Sequence, residues 1–81
     1  MLVDDIRRII AETLELSVEE VPADAEASRI EKWDSLAQIN ICMTVQGTYG
    51  IDMSVEEITD TLSVPGFVEL VRRKAPAAQA G

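Results

Sequence analysis

A run without any charged residue, from Ser35 to Ile51, constrains the fold more than any other feature of this chain, in which 27% of residues are charged. Placed at roughly 100° per residue on a helix, its apolar side chains cover an arc of roughly 220°, whereas a core-facing stripe needs about 100° or somewhat more. We therefore expect one long apolar helix that ends at Gly47 or Tyr49, with Gly50 as its stop.

The surplus apolar surface of this helix leaves two explanations open. The helix is either buried on two sides, or it keeps one edge exposed for partner proteins. That edge would consist of Leu36, Ile39 and Met43, which recur at the i, i+3 and i+7 spacing of one helical face. In the second case the helix serves as a docking surface as well as a part of the core.

Ser35 stands where an acidic loop ends and the apolar helix begins. We expect its hydroxyl at a helix N-terminus, beside backbone N–H groups that have no intrahelical partner. These donors and the aligned peptide dipoles favour an anion, so a phosphodiester on Ser35 would be accommodated there. We therefore predict that Ser35 is the attachment point of a carried group, with a plain helix cap as the structural alternative.

The residues before this helix predict an amphipathic helix followed by a long loop. Apolar residues recur on one helical face from Asp4 or Asp5, which can cap or charge the helix start, to an end near Leu16. The segment 22–32 has no sustained period, which indicates a long surface loop. We expect Trp33 to anchor the end of this loop in the core.

The residues after the long helix predict two more helices. Ser54 opens a capping box for a short helix over 55–60, and Ser63 can cap a last helix whose final turn holds the three bases of 72–74. The fold class is therefore all-α, a small four-helix bundle with one short helix and a long first loop. We expect one domain over 1–74 and a disordered tail over 75–81.

The composition excludes several classes of function. The chain has no histidine and one cysteine, Cys42. This excludes His-based acid–base catalysis, Ser-His triads and the His or Cys clusters of zinc sites. Cys42 lies on the apolar arc, where a small buried hydrophobe is expected. We therefore expect neither a metal site nor an enzyme.

The net charge of −8 restricts the partners. It disfavours nucleic acid and anionic membrane surfaces and favours proteins with basic patches. No apolar run approaches the roughly 18 residues of a membrane span, and the N-terminus does not look like a signal peptide. We expect a cytoplasmic monomer that binds neither nucleic acid nor membrane.

From Ile6 to Val71 the chain resembles the acyl carrier protein family, the phosphopantetheine-binding domains of fatty acid, polyketide and related biosynthesis. The resemblance centres on Asp34-Ser35-Leu36 at the start of the second helix, followed by Tyr49-Gly50-Ile51 and by 54–58 as the third helix. A bare Asp-Ser-Leu is weak evidence, because any helix can begin that way. The loop before it, the order of the helices and their spacing make the pattern specific.

The resemblance implies that a phosphopantetheinyl transferase, using magnesium, moves phosphopantetheine from coenzyme A onto the hydroxyl of Ser35, between Asp34 and Leu36. An acyl or aminoacyl group then rides as a thioester on the terminal thiol of this arm, and the protein itself catalyses no reaction. In this family the bundle can also shelter the acyl chain between helices. By position, that pocket would involve Ile41, Cys42, Val45, Ile58 and Leu62.

The resemblance also implies acyl-loading and biosynthetic enzymes that recognise the carrier's surface. Family members often have acids along the second helix, whereas here that helix is uncharged. We expect Glu56 and Glu57 to steer basic partners instead. Leu36, Ile39 and Met43 would add apolar contact. The alternative function is a non-covalent acidic adaptor that binds a partner helix or groove through that same apolar edge.

Overall fold

The computed structural model describes residues 1–75, and the tail residues 76–81 lie outside this part. The described residues contain four α-helices and no strand, which confirms the predicted all-α bundle with a short third helix and a long first loop. Two single-turn 3-10 helices lie between the first and second α-helices, Val18–Glu20 before the long loop and Ala27–Arg29 within it. The helices are α1 (Leu2–Leu14), α2 (Ser35–Tyr49), α3 (Val55–Asp60) and α4 (Val64–Lys74).

The core lies between α1, α2 and α4. Helix α1 packs against both α2 and α4, while α3 packs against α2. The fully buried side chains are mostly aliphatic, and each contributes roughly 1.5–3 kcal/mol through removal from water. The largest of the buried side chains are Phe67, Ile6, Ile10 and Ile41.

None of the helices in residues 1–75 has the length and apolar content that a membrane crossing requires.

The first helix has the expected acids at its start but ends before the expected position. Helix α1 begins at Leu2, and Asp4 and Asp5 lie inside its first turn, where carboxylates favour the helix dipole. It ends at Leu14 and not near Leu16. The reason is that the next residue adopts a left-handed conformation with φ of 58° and its N–H donates back to the carbonyls of the last turn.

The long loop is fixed to the rest of the fold by backbone hydrogen bonds. The N–H of Ala27 donates to the carbonyl of Leu62 at 2.9 Å, and the N–H of Val64 donates to the carbonyl of Ala25 at 2.9 Å. These bonds flank an antiparallel bridge at the start of α4. Arg7 of α1 also donates to the carbonyl of Val21 at 2.6 Å. The loop therefore has a defined path although it contains little regular structure.

One edge of α2 is exposed, which decides between the two explanations of its wide apolar arc. The opposite face is buried against the core, whereas Leu36, Ile39 and Met43 are 69%, 48% and 63% exposed. The helix ends as expected at Gly50, whose φ of 64° is the left-handed conformation that glycine adopts without strain. The helix therefore presents an apolar edge (Leu36, Ile39 and Met43) to solvent.

Candidate functional site

The start of α2 combines an exposed hydroxyl with a well-defined helix cap. Asp34 is the N-cap: its side chain accepts a hydrogen bond from the N–H of Ala37 at 2.9 Å, and its carbonyl accepts one from Gln38 at 2.9 Å. Ser35 is the first helical residue and is exposed. The N–H groups of Ser35 and Leu36 precede those two donors, so no intrahelical carbonyl is available to them. This arrangement favours an anion beside the Ser35 hydroxyl.

Ser35 lies on an open groove of about 720 Å³. The groove runs between the end of the long loop, the first turns of α2 and α3. Its volume lies within the roughly 300–1,000 Å³ of typical small-molecule sites. Its surface is mostly apolar, with hydroxyls from three residues. The lining residues outside α2 are Ala27, Ser28, Trp33, Asp34, Val55, Ile58, Thr59 and Leu62.

A hydrogen-bond network centred on Gln38 forms the base of this groove. Gln38 is the one buried polar residue in the described core, and the residue is 5% exposed. Its Oε1 accepts from the indole Nε1–H of Trp33 at 2.7 Å. Its Nε2 donates to the carbonyls of Ile58 at 2.8 Å and Thr61 at 2.7 Å. The loop, α2 and α3 are therefore joined through one side-chain amide.

Trp33 is buried as expected of a loop anchor, but sequence reasoning missed Gln38. Two signals were available. A buried indole N–H needs an acceptor, and Gln38 is a polar residue next to the apolar side of α2. Neither signal identifies the two carbonyls of α3 as its partners.

The structure divides the residues of the expected acyl pocket into two groups. Ile58 and Leu62 line the groove. Ile41, Cys42 and Val45 are fully buried in the core and are not among the lining residues. Burial raises the pKa of the Cys42 thiol to about 11, so it remains protonated and unreactive at neutral pH.

The two acids expected to steer partners differ in their surroundings. Glu56 is exposed on α3. Glu57 accepts from Lys74 Nζ at 2.6 Å and from the N–H of Ser54 at 2.8 Å, and Arg73 lies 3.3 Å from its other oxygen. The hydrogen bond from Lys74, followed by the bond from Ser54, lowers the pKa of Glu57. Glu57 therefore joins α3 to the end of α4.

Helix α3 is held by polar contacts at both ends. None of its six residues is buried. At its start, Glu57 binds the basic end of α4, and at its end the carbonyls of Ile58 and Thr61 accept from Gln38. A short helix with so little buried apolar surface depends on such tertiary contacts.

The model of the phosphopantetheine attachment site family matches residues 4–71, so the chain belongs to the phosphopantetheine-binding family of acyl carrier proteins. The chain is also 31% identical over 71 residues to the polyketide-8 synthase acyl carrier protein 2 of Streptomyces avermitilis. That alignment covers 88% of this chain and 82% of the relative. Members of this family are carriers and not enzymes, and their prosthetic group is phosphopantetheine.

The residues at the start of α2 fit this prosthetic group. An exposed serine hydroxyl, N–H groups suited to a phosphate and an adjoining groove lie together there. Among residues 1–75, no group of three or more His, Cys, Asp or Glu side chains is placed to hold a metal ion.

Proposed function

We propose that this chain carries acyl intermediates of polyketide biosynthesis as thioesters on a phosphopantetheine arm attached to the hydroxyl of Ser35. The observation that supports Ser35 most strongly is its position as an exposed first residue of α2 at the edge of the groove. The polyketide synthase carrier from Streptomyces avermitilis supports polyketide over fatty acid synthesis.

The surroundings of Ser35 suit a tether. Asp34 caps the helix through Ala37 and leaves the N–H groups at the first two helical positions for the phosphodiester. Trp33 is buried and hydrogen-bonded immediately before the cap, so the base of the arm is rigid. A flexible arm on a rigid base raises the effective concentration of its cargo at a partner's active site.

The proposed partners are a phosphopantetheinyl transferase and the enzymes that load and use the acyl group. The apolar edge of α2 begins next to Ser35 and gives these enzymes an exposed contact surface. Glu56 and the loop acids attract basic surfaces, which raises the rate of association more than the affinity.

The test is enzymatic loading followed by intact mass measurement. The purified chain is incubated with coenzyme A, magnesium and a broad-specificity phosphopantetheinyl transferase. We expect the mass to increase by one phosphopantetheine in the wild type and to remain unchanged in Ser35→Ala. The adduct should be lost because the substitution removes the acceptor oxygen.

Ser28→Ala is the matched control, because Ser28 is also an exposed serine on the groove. It should load as completely as the wild type. Loading of Ser35→Ala, or no loading of the wild type, would contradict the proposal. Feeding the loaded chain malonyl or long-chain acyl donors with their transferases then shows which acyl groups it accepts.

The second candidate is a non-covalent adaptor that binds through the apolar edge of α2. The exposure of Leu36 and Met43, at 69% and 63%, favours it. Its distinguishing result is partner binding and cellular activity that persist in Ser35→Ala and are lost in Met43→Asp. A carrier instead loses cellular activity in Ser35→Ala.

A further inference from the structure

We propose that Gln38 is a positioning residue that holds α3 against α2 and thereby confines the cargo to the surface groove, outside the core. The statement about cargo rests on the proposed function, whereas the closure between α2 and α3 can be tested without any arm. Gln38 would thus determine which acyl groups this carrier can shelter.

The hydrogen bonds of Gln38 use its donors fully. Both donors of Nε2 are directed at carbonyls at the end of α3, 2.8 Å and 2.7 Å away, and Oε1 accepts from Trp33 at 2.7 Å. All of these groups lie in or beside the core, where an unpaired polar group is unfavourable. Separation of α3 from α2 would leave Nε2 and the carbonyls of Ile58 and Thr61 without these partners, whereas the bond to Trp33 would remain.

Gln38 also lies between the groove and the core. It is itself a lining residue of the groove. On its other side, Nε2 is 3.4 Å from the sulfur of Cys42, which is fully buried and does not line the groove. Ile41 and Val45 are buried on the same helix. An acyl chain that entered the core from the groove would have to displace the amide of Gln38.

The mobility of α3 is limited chiefly by this amide and by Glu57. No side chain of α3 is fully buried and Ile58 packs only partly buried against the core, so apolar packing contributes less to the position of α3 than to that of the other helices. Glu57 secures the first turn to α4, and Gln38 secures the last turn to α2. Loss of the Gln38 bonds should release the end of α3 that borders the groove.

This arrangement selects the class of cargo. The groove presents apolar side chains such as Ile39 and Ile58 together with the hydroxyls of Ser28 and Thr59. Such a surface suits short acyl groups or chains with polar carbonyls. A long saturated chain would need an apolar space among the core side chains, and opening one beside Cys42 would require the hydrogen bonds of Gln38 to break.

The first experiment measures the closure between α2 and α3 in the chain without an arm. Cys42 is the only thiol, and its modification by a thiol reagent reports opening next to Gln38. Gln38→Leu keeps a similar volume but removes the hydrogen bonds to Trp33, Ile58 and Thr61 as well as the contact with the Cys42 sulfur, so we expect labelling to accelerate by about tenfold or more. The free energy of unfolding of each variant is measured in parallel. The increase in labelling rate must exceed the increase that a loss of global stability alone would cause.

Gln46→Leu is the matched control. Gln46 lies on the same helix, donates to the carbonyl of Cys42 at 3.3 Å and accepts from the N–H of Met53 at 2.9 Å, but it makes no hydrogen bond to α3. In this variant, the rate of Cys42 labelling should change only as far as the change in global stability predicts. Equal acceleration of labelling in both variants, or no acceleration in Gln38→Leu, would contradict the proposed closure between α2 and α3.

The second experiment locates the cargo in the loaded wild type, so its result does not depend on whether any variant folds. An octanoyl group on the arm should shift the methyl NMR signals of Ile58 and Leu62 and leave those of Ile41 and Val45 unchanged. Shifts at Ile41 and Val45 in the wild type would overturn the proposal. Failure to load would refute the attachment at Ser35, and the Cys42 labelling would still decide the role of Gln38.

Discussion

Gly47 and Gly50 lie three residues apart and have opposite conformational requirements. Gly47 is inside α2, exposed, and an added Cβ would meet nothing within 4 Å. Gly50 ends the helix with φ of 64°, a conformation in which a side chain is strained even though the space is open. The first glycine weakens the helix, and the second is needed to end it.

We predict opposite effects of alanine at these two positions. Gly47→Ala should stabilise the fold by about 0.5–1 kcal/mol, because alanine favours the helix interior. Gly50→Ala should destabilise it by about 1 kcal/mol, because the left-handed conformation disfavours a Cβ. Urea unfolding of both variants measures the two changes. A gain in stability for Gly50→Ala would contradict the assigned conformation.

Single residues also show which contacts the sequence predicts. Ser54 and Ser63 cap α3 and α4 as expected, because a cap needs only a donor three residues away. The partners of Gln38, Ile58 and Thr61, lie 20 and 23 residues away. No local pattern connects residues so far apart, so the central hydrogen bonds of the site could not be predicted.

At the scale of the elements, the contact between α3 and α4 depends on the ionisation of Glu57. Its pKa lies below the ordinary value of 4.5, because Lys74 and the N–H of Ser54 stabilise the carboxylate. A lowered pKa means that this stabilisation is fully present above the unfolded pKa. It is lost as the pH falls through the folded pKa.

We predict that Glu57→Gln removes the part of the acid sensitivity of folding stability that comes from the Glu57 carboxylate. The glutamine can still accept from Ser54, but it has no charge for Lys74. The stability difference between wild type and variant should be constant above pH 4.5 and should shrink below it. Urea unfolding across this range measures the difference. Glu56→Gln, one residue away and exposed, is the control, and an equal change in both variants would contradict the assignment.

Sequence patterns predicted the elements better than their boundaries and their contacts. The apolar period predicted four helices, and the exposed edge of α2 accounts for the width of its apolar arc. The end of α1 was misplaced because Glu15 is left-handed, which is uncommon for a residue other than glycine. The groove depends on how α3 rests on α2, which is a tertiary contact that periodicity does not describe.

At the scale of the whole molecule, charge repulsion acts over the entire chain. The net charge is −8, and the described part measures 32 × 26 × 18 Å. The Debye length is about 30 Å at 0.01 M salt and about 8 Å at 0.15 M. At low salt, therefore, carboxylates on opposite sides still repel each other, and at physiological salt they do not.

We predict that the melting temperature rises between 0.01 M and 0.15 M sodium chloride, because screening weakens this repulsion more than it weakens the few surface ion pairs. Glu31→Lys, at an exposed loop position, reduces the net charge and should reduce the dependence on salt. Calorimetry at several salt concentrations measures both. A melting temperature that is independent of salt would contradict the prediction.

The hydrogen bond between Ala27 and Leu62 joins the first and the last residue that line the groove. All the other lining residues lie between these two in the chain. The site is therefore a closed chain segment whose ends meet, while α1 and α4 lie outside it. Substitutions in those helices, other than at Arg73 and Lys74, which bind Glu57, can change heat tolerance without altering the lining of the groove.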